Sequence, residues 1–395
     1  MAWGEIKVED QRKLFVEACI AGDLTMADLC RLFKISRDTG YKWLNRYNYN
    51  GLEGLKDKSR APLTQPFATD PNLVQQVINL RMQYPTWGPK KIRAYLEKQY
   101  PKMPWPSTTT IGNLFDKHGL TVSRKYRRRV PPRTEPLAHC QQPNDVWCMD
   151  FKGYFLTMRG ERCDPFTLTD ACSRFLLRCV KLDYNRTEQV WSILDAAFRE
   201  YGLPSYLRSD NGPPFASCAP GRLSKLSVKL IKAGVIPEYI EPGNPQQNGR
   251  HERMHLTLKN ETATPPKENL DLQNIKFQEF REYFNFIRPH EALKQKVPGD
   301  VYRISQRKWD GHLRAPEYLE GEITRKVMLS GCFSWKGNNL FISDTLIGEY
   351  VGIKENLTGT LEVRYGPIIL GTIDPNMTFS VPEHKKRRSR KVQEL

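Results

Sequence analysis

The chain has 395 residues, 39% of them hydrophobic, with nine cysteines and 61 Lys and Arg against 44 Asp and Glu, a formal net charge of +17. That length suits two or more domains with separate cores. No apolar run approaches the ~18 residues of a membrane span, no signal-peptide core opens the chain, and the cysteines form no Cys-x-x-Cys pair, which together predict a cytosolic protein with reduced thiols.

The charge is uneven. Residues 1–135 carry 24 basic against 13 acidic side chains, residues 136–382 carry 31 against 29, and the tail from Glu383 carries six against two. Basic ends around a nearly neutral middle imply a polyanion held by the flanks and chemistry at the centre.

In chain order, Val8–Ala21 predicts a helix, with Leu14, Phe15, Ala18 and Cys19 on one face. A second helix runs from Thr25, its cap, to Phe33. After a tight turn at Lys34-Ile35, Ser36 caps a third over Arg37–Tyr47. Short helix, tight turn and capped helix make a helix-turn-helix, whose last helix enters the major groove. Arg37, Asp38, Lys42 and Arg46 are expected to face outward, with Tyr41 and Leu44 packing inward. Gly51–Pro62 reads as an exposed linker that offers Lys56, Lys58 and Arg60 to phosphates. A second helical unit follows, with helices over Pro71–Tyr84 and Pro89–Tyr100, the latter opened by proline at its first position. Ser107 caps its third helix, Thr108–His118, although Thr108-Thr-Thr is a weak recognition face. Ser123–Pro136 then gathers Arg124, Lys125, Arg127, Arg128, Arg129 and Arg133 around Pro131-Pro132, an extended tether suited to lie on DNA backbone.

The middle of the chain predicts strands at Asp145–Phe151, Gly153–Thr157, Phe166–Asp170 and Phe175–Lys181. A helix over Thr187–Tyr201, a strand at Leu203–Ser209, a helix near 221–234 and a short strand at Val235–Ile240 follow. Two apolar runs end in aspartate, at Asp150 and Asp210, as where a buried strand delivers an acid to a sheet edge. After breakers at Pro242, Gly243, Pro245 and Gly249, a helix begins near Arg250. On it Glu252, His255, Leu256 and Lys259 fall on one predicted face. Alone, such a face is ordinary solvated surface. Three carboxylates brought together by a sheet and a helix repel unless divalent cations lie between them, and oxygen ligands favour Mg²⁺ or Mn²⁺ over zinc. Lys276–Pro289 is an amphipathic helix. Glu322–Val381 shows short alternating runs between turns, the pattern of a small β-barrel, and Lys385–Lys391 is a basic tail.

Five pieces carry a resemblance. They are Trp147-x-x-Asp150-x-Lys-Gly, Leu168-Thr-Asp170-Ala-x-Ser173-Arg174, Ser209-Asp210-Asn211-Gly212, Asn244-Pro-Gln-x-Asn-Gly-x-x-Glu252-Arg253 and Arg288-Pro-His-x-Ala-Leu293. In this order the chain resembles the DDE transposases and integrases with an RNase H-like core, above all bacterial insertion-sequence transposases related to retroviral integrases. One departure is the 41 residues between Asp210 and Glu252, more than the family often has. The extra residues are placed in the 213–225 loop. Another is that no histidine precedes His118, so the zinc module of retroviral integrases is absent from this stretch.

The resemblance implies a multidomain α/β protein. Its parts would be a helix-turn-helix domain (1–60), a second one (61–122), a basic linker (123–140), an RNase H-like mixed-sheet core (141–302), a linker (303–320), a small SH3-like β-barrel (321–382) and a basic tail (383–395). It further implies Asp150, Asp210 and Glu252 as catalytic acids holding two Mg²⁺ or Mn²⁺ ions, with Ser209 and Asn211 steadying the Asp210 carboxylate. His255 and Lys259 would contact DNA near its terminal nucleotides. Asp170 reads as a structural turn contact and His290 as a structural hydrogen-bonder. The implied activity is cleavage of a mobile element's ends and joining to target DNA. The implied partners are double-stranded DNA (terminal repeats and target) and at least a second copy of the chain on DNA, with no membrane or nucleotide cofactor, in a bacterial cytoplasm at the nucleoid. Two other readings are a catalytically inactive DNA-binding regulator derived from a transposase, and a nuclease acting on RNA–DNA hybrids.

Overall fold

The computed structural model describes residues 8–58, 68–121, 137, 139–182, 187–241, 249–355 and 360–381. The chain divides into two compact units at Asp70.

The first unit holds helices α1 (Val8–Ala21), α2 (Met26–Leu32) and α3 (Arg37–Asn50), closed by a 3₁₀ turn at Gly51–Leu55. The Thr25 side chain caps α2, and the Ser36 side chain accepts from the Thr39 amide at the start of α3. The left-handed residue between these helices is Lys34, at φ 53°. Phe15, Val16, Leu29, Cys30, Trp43 and Leu55 form the core. The expected inward Tyr41 is instead 51% exposed and Trp43 is buried. Trp43 lies two positions further round the helix, and it also carries the Arg12 guanidinium 3.9 Å above its ring.

The second unit opens with α4 (Pro71–Gln83), α5 (Pro89–Gln99) and α6 (Thr108–Lys117), packed around Trp87, Ile92, Ile111 and Phe115. A mixed sheet follows, built from β1 (Val146–Phe151), β2 (Phe155–Leu156), β3 (Arg162–Asp170), β4 (Leu176–Leu182), β5 (Tyr206–Ser209) and β6 (Ile236–Tyr239). Its order is β2-β3-β1-β5-β6, with β4 also on β3. The pairs β1/β3 and β3/β4 are antiparallel, whereas β1/β5 and β5/β6 are parallel. Helices α7 (Thr187–Tyr201) and α8 (Lys225–Lys232) cover one face, meeting Trp147, Met149, Phe166 and Leu168. Helices α9 (Gly249–Thr262) and α10 (Leu270–Glu282) cover the other, where Met254, Leu258, Phe277 and Phe280 meet Cys163, Leu176 and Cys179. Alternation along each strand sorts these two sets of side chains.

Helices α4–α6 are seated on this sheet assembly. Trp87 stacks near Tyr283 and its Nε1 donates to the Tyr283 hydroxyl at 2.6 Å. Lys90 pairs with Glu291 and Lys98 with Asp300. Residues 303–320 run back along the sheet assembly, where the Trp309 Nε1 donates to Asp195 at 2.7 Å.

The C-terminal part is an antiparallel sheet of β7 (Ile323–Lys326), β10 (Tyr350–Glu355), β11 (Leu361–Tyr365), β12 (Ile368–Ile373) and β13 (Phe379–Ser380), in the order β13-β12-β11-β10-β7. Strands β8 (Cys332–Trp335) and β9 (Asn338–Phe341) form a separate hairpin. The expected barrel is therefore not closed among the described residues. Its hydrophobic filling comes partly from elsewhere, because Leu223, Val228 and Ile231 share a core with Phe333, Val351, Val363, Tyr365 and Leu370. An open sheet needs such a cover for its apolar face. Helix α8 supplies it while burying Leu226 and Leu230 on the other side, as befits a helix that is apolar around most of its circumference.

Candidate active site

The strand sequence Val-Trp-Cys-Met-Asp-Phe sends Trp147 and Met149 toward α7 and leaves Cys148 and Asp150 facing α9. Thr167 and Thr169 share that second face on β3, and Thr167 is the register partner of Asp150. On the other side β1 and β5 run parallel with Cys148 opposite Arg208. Asp150 is the residue before the last of β1, and Asp210 directly follows β5. Two carboxylates thus end two neighbouring parallel strands, the edge where open α/β sheets place their ligands.

Helix α9 lies over β3 and beside Asp150 of β1 on this face. Its buried stripe is His251, Met254, His255 and Leu258, while Glu252 and Lys259 are exposed and Leu256 is 59% exposed. The expected common face for Glu252, His255, Leu256 and Lys259 is therefore split. The i, i+4 pair of imidazoles belongs to the inward stripe, and Glu252 stands one residue round from it in the first turn. His255, expected to contact DNA, is only 6% exposed, because the apolar neighbours that anchor α9 turn it toward the sheet.

The imidazoles converge on one hydroxyl. Thr167 Oγ1 lies 2.7 Å from His251 Nε2, 2.8 Å from His255 Nε2 and 3.2 Å from the Asp150 carbonyl oxygen. A hydroxyl has one proton to give, so at least one ring nitrogen must be the donor to it. His255 Nδ1 then faces the Asp150 carboxylate at 4.0 Å. Burial pulls the His251 pKa down to about 3, and burial followed by His251 pulls that of His255 to about 2. Both rings are neutral near pH 7 and able to ligate. Among the described residues, Asp150, His251 and His255 are the group whose ligand atoms all lie within 4.8 Å of one another. Asp210 and Glu252 stand outside that group.

Asp210 Oδ1 accepts the Gly212 amide at 3.0 Å. The expected supports act elsewhere: Ser209 Oγ donates to the Asp210 carbonyl, Asn211 Nδ2 donates to Ile240, and Asn211 Oδ1 accepts from Arg222. Asp170 is fully buried, accepting from the Asn144 amide at 2.8 Å and from the Ser173 amide and hydroxyl at 2.7 and 2.5 Å. It braces a turn. His290 contacts the Phe284 carbonyl at 3.3 Å.

On α3, Arg37 and Lys42 are exposed, whereas Arg46 is half-buried with its guanidinium 4.9 Å from the Trp43 ring centre. Lys58 is exposed, and Lys56 is held by Glu53 at 2.6 Å. Arg60, Arg124, Lys125, Arg127, Arg128 and Arg129, most of the 244–252 motif and the basic tail lie outside the described residues. His251 and Thr167 were not singled out from sequence. The signal available was the four-residue spacing of the histidines and a strand alternation shared by Asp150 and Thr167.

The donor set fits a divalent cation. Neutral nitrogens beside a carboxylate suit a transition metal, and neighbouring acids suit Mg²⁺ or Mn²⁺.

Integrase core domain models match residues 141–245 and 233–298, a helix-turn-helix domain model matches 11–62, and a homeodomain-like model matches 39–115. The chain is 27% identical over 262 residues to an insertion element IS476 uncharacterized 39.2 kDa protein of Xanthomonas euvesicatoria, covering 65% of this chain and 72% of that protein. It is 27% identical over 231 residues to an insertion element IS407 uncharacterized 31.7 kDa protein of Burkholderia multivorans, covering 58% and 79%. Among solved structures, the HTLV-2 integrase catalytic core domain in complex with magnesium aligns over 41% of this chain and 98% of its own, at 16% identity and TM-score 0.33. A simian T-cell lymphotropic virus intasome chain aligns over 76% and 99%, at 14% identity and TM-score 0.37. These matches support a bacterial insertion-sequence transposase, with helix-turn-helix domains ahead of an integrase-like core.

Proposed function

We propose that this protein binds the ends of a mobile element, cleaves them, and joins the freed 3′-hydroxyls to target DNA in a divalent-metal-dependent reaction. The observation that carries this reading is the origin of Asp150 and Asp210 at the ends of adjacent parallel strands, with Glu252 in the first turn of α9, the helix whose His255 faces Asp150. In this reading the three acids hold two Mg²⁺ or Mn²⁺ ions. When bound, such ions acidify a water and offset charge on the leaving oxygen of an in-line displacement.

The chain's own residues supply the frame. Asp150 is held at the sheet edge by its strand, and the Gly212 amide orients Asp210. Glu252 and Lys259 project from the exposed side of α9 toward a DNA strand, while the neutral His251 and His255 brace Asp150 from below. Arg37, Lys42 and Arg46, with Lys56 and Lys58, serve the recognition unit, and Arg60, Arg124, Lys125, Arg127, Arg128 and Arg129 extend the phosphate contacts. Joining two ends calls for at least two copies on DNA, and the compartment is the bacterial cytoplasm.

The test uses duplexes ending in the sequence that the full chain selects from a random library. Asp150→Asn, Asp210→Asn and Glu252→Gln are each expected to reduce strand cleavage and joining by at least about 10³-fold in Mg²⁺ or Mn²⁺, with duplex binding unchanged. Wild-type binding without cleavage or joining would leave a DNA-binding regulator as the reading. Full activity in any one variant would remove that acid from the site.

A further inference from the structure

A cavity of about 960 Å³ lies between helices α5 and α6 and the sheet assembly. Its walls include Lys90, Lys91, Arg174, Arg250, Arg253 and Arg288, against two carboxylates, Asp170 and Glu291. Neither carboxylate is spare. Asp170 is saturated by Asn144 and Ser173, and Glu291 is paired with Lys90. Among the described residues, the half-buried Lys91, Arg174 and Arg288 make no ion pair and the buried Nε of Arg288 has no hydrogen-bond partner, while Arg250 and Arg253 are exposed. Half-buried cations left unmatched destabilise a fold unless an anion joins them.

The cost is visible in the groups themselves. Burial and then the neighbouring Arg288 pull the Lys91 pKa down to about 7, and burial and then Arg250 pull Arg174 to about 10. Arg174 also holds a left-handed backbone conformation, φ 66°, which a non-glycine residue adopts at a cost.

The cavity reaches the candidate active site. Gly249, Arg250, His251 and Arg253, the residues flanking Glu252, line it, as does Thr169, which lies 3.3 Å from His251 Nδ1. A sphere of this volume is about 12 Å across, the width of one groove, so a whole duplex does not enter. A single strand does. Cationic groups for phosphates beside apolar and ring surfaces for bases, here Met254, Phe284 and His290, are what single-stranded nucleic acid binds.

We propose that this cavity is a binding site for a single DNA strand running off the active site, its phosphodiesters held by Lys91, Arg174 and Arg288. The inference rests on the DNA-processing reading above and adds the strand state of the DNA and the helices that seat it. It also gives the second helical unit a role besides groove recognition, since Lys91, Thr108 and Thr109 of α5 and α6 face this space.

The test measures binding of the full chain by fluorescence anisotropy, in EDTA, to one selected duplex that is either blunt or extended by about five unpaired nucleotides, within the site sizes of such grooves. The extension is expected to tighten wild-type binding on the order of tenfold. It should also steepen the salt dependence by about two, as three phosphate contacts to a single strand require. In Lys91→Gln with Arg288→Gln the gain should vanish while blunt-duplex affinity stays unchanged, which also reports that the variant is folded. Arg288→Lys should keep most of the gain. No gain in the wild type, or an equal gain in the double variant, overturns the proposal. So does loss of the gain on adding inorganic phosphate at millimolar level, which marks a small-anion site. Failure to bind the blunt duplex at all counts against the DNA-processing reading itself.

Discussion

A single hydroxyl carries much of the geometry around Asp150. Thr167 touches both buried imidazoles and the Asp150 carbonyl, so the isosteric Thr167→Val leaves buried ring nitrogens without partners. The expected loss is about 1–3 kcal/mol of stability in urea unfolding; an unchanged midpoint would mean that the rings find other partners. His290 offers a pH test. Burial, then Arg288 and Lys91, pull its pKa down to about 3, below the unfolded value near 6.5. The folded state therefore favours the neutral ring. Its stability contribution is complete above pH 6.5 and is lost as pH falls toward 3. His290→Gln should flatten the fall in Tm between roughly pH 7 and pH 5, because each such proton changes stability by about 1.4 kcal/mol per pH unit.

At the scale of elements, the caps did what their residue types imply. Ser36 starts α3 and Ser107 starts α6, each accepting the amide three residues on. Ser36→Ala should lower the stability of the N-terminal unit by about 1 kcal/mol, with Ser36→Gly milder, read from the thermal transition of that unit. Equal stabilities would show that the cap contributes nothing there. Helix ends were legible because capping is local chemistry. Helix faces were less so: α3 turns Trp43 inward instead of Tyr41, and α9 turns His255 inward and leaves Leu256 exposed. Short helices with mixed stripes are rotated by whatever they pack on, and that partner is distant in sequence.

Over the whole molecule, parts that look like separate modules share cores. Leu223, Val228 and Ile231 belong with the C-terminal sheet, Lys232 pairs with Glu349 at 2.8 Å, and Trp87 is hydrogen-bonded to Tyr283. Removing residues 321–395 should therefore expose the outer face of α8 and give an aggregating or strongly destabilised product. A truncated chain with an unchanged Tm would show the C-terminal sheet to be independent.

The chain by itself determined the helix-turn-helix pattern, the succession of strands and helices in the core and the candidacy of Asp150, Asp210 and Glu252, because capping, alternation and short motifs are written in neighbouring residues. Only the tertiary structure decided that His251 and Thr167 meet beside Asp150, that the C-terminal strands stay open against α8, and that α5 and α6 wall a cationic cavity. Each of those depends on side chains from elements far apart in sequence, and no local rule states which of them a fold will press together.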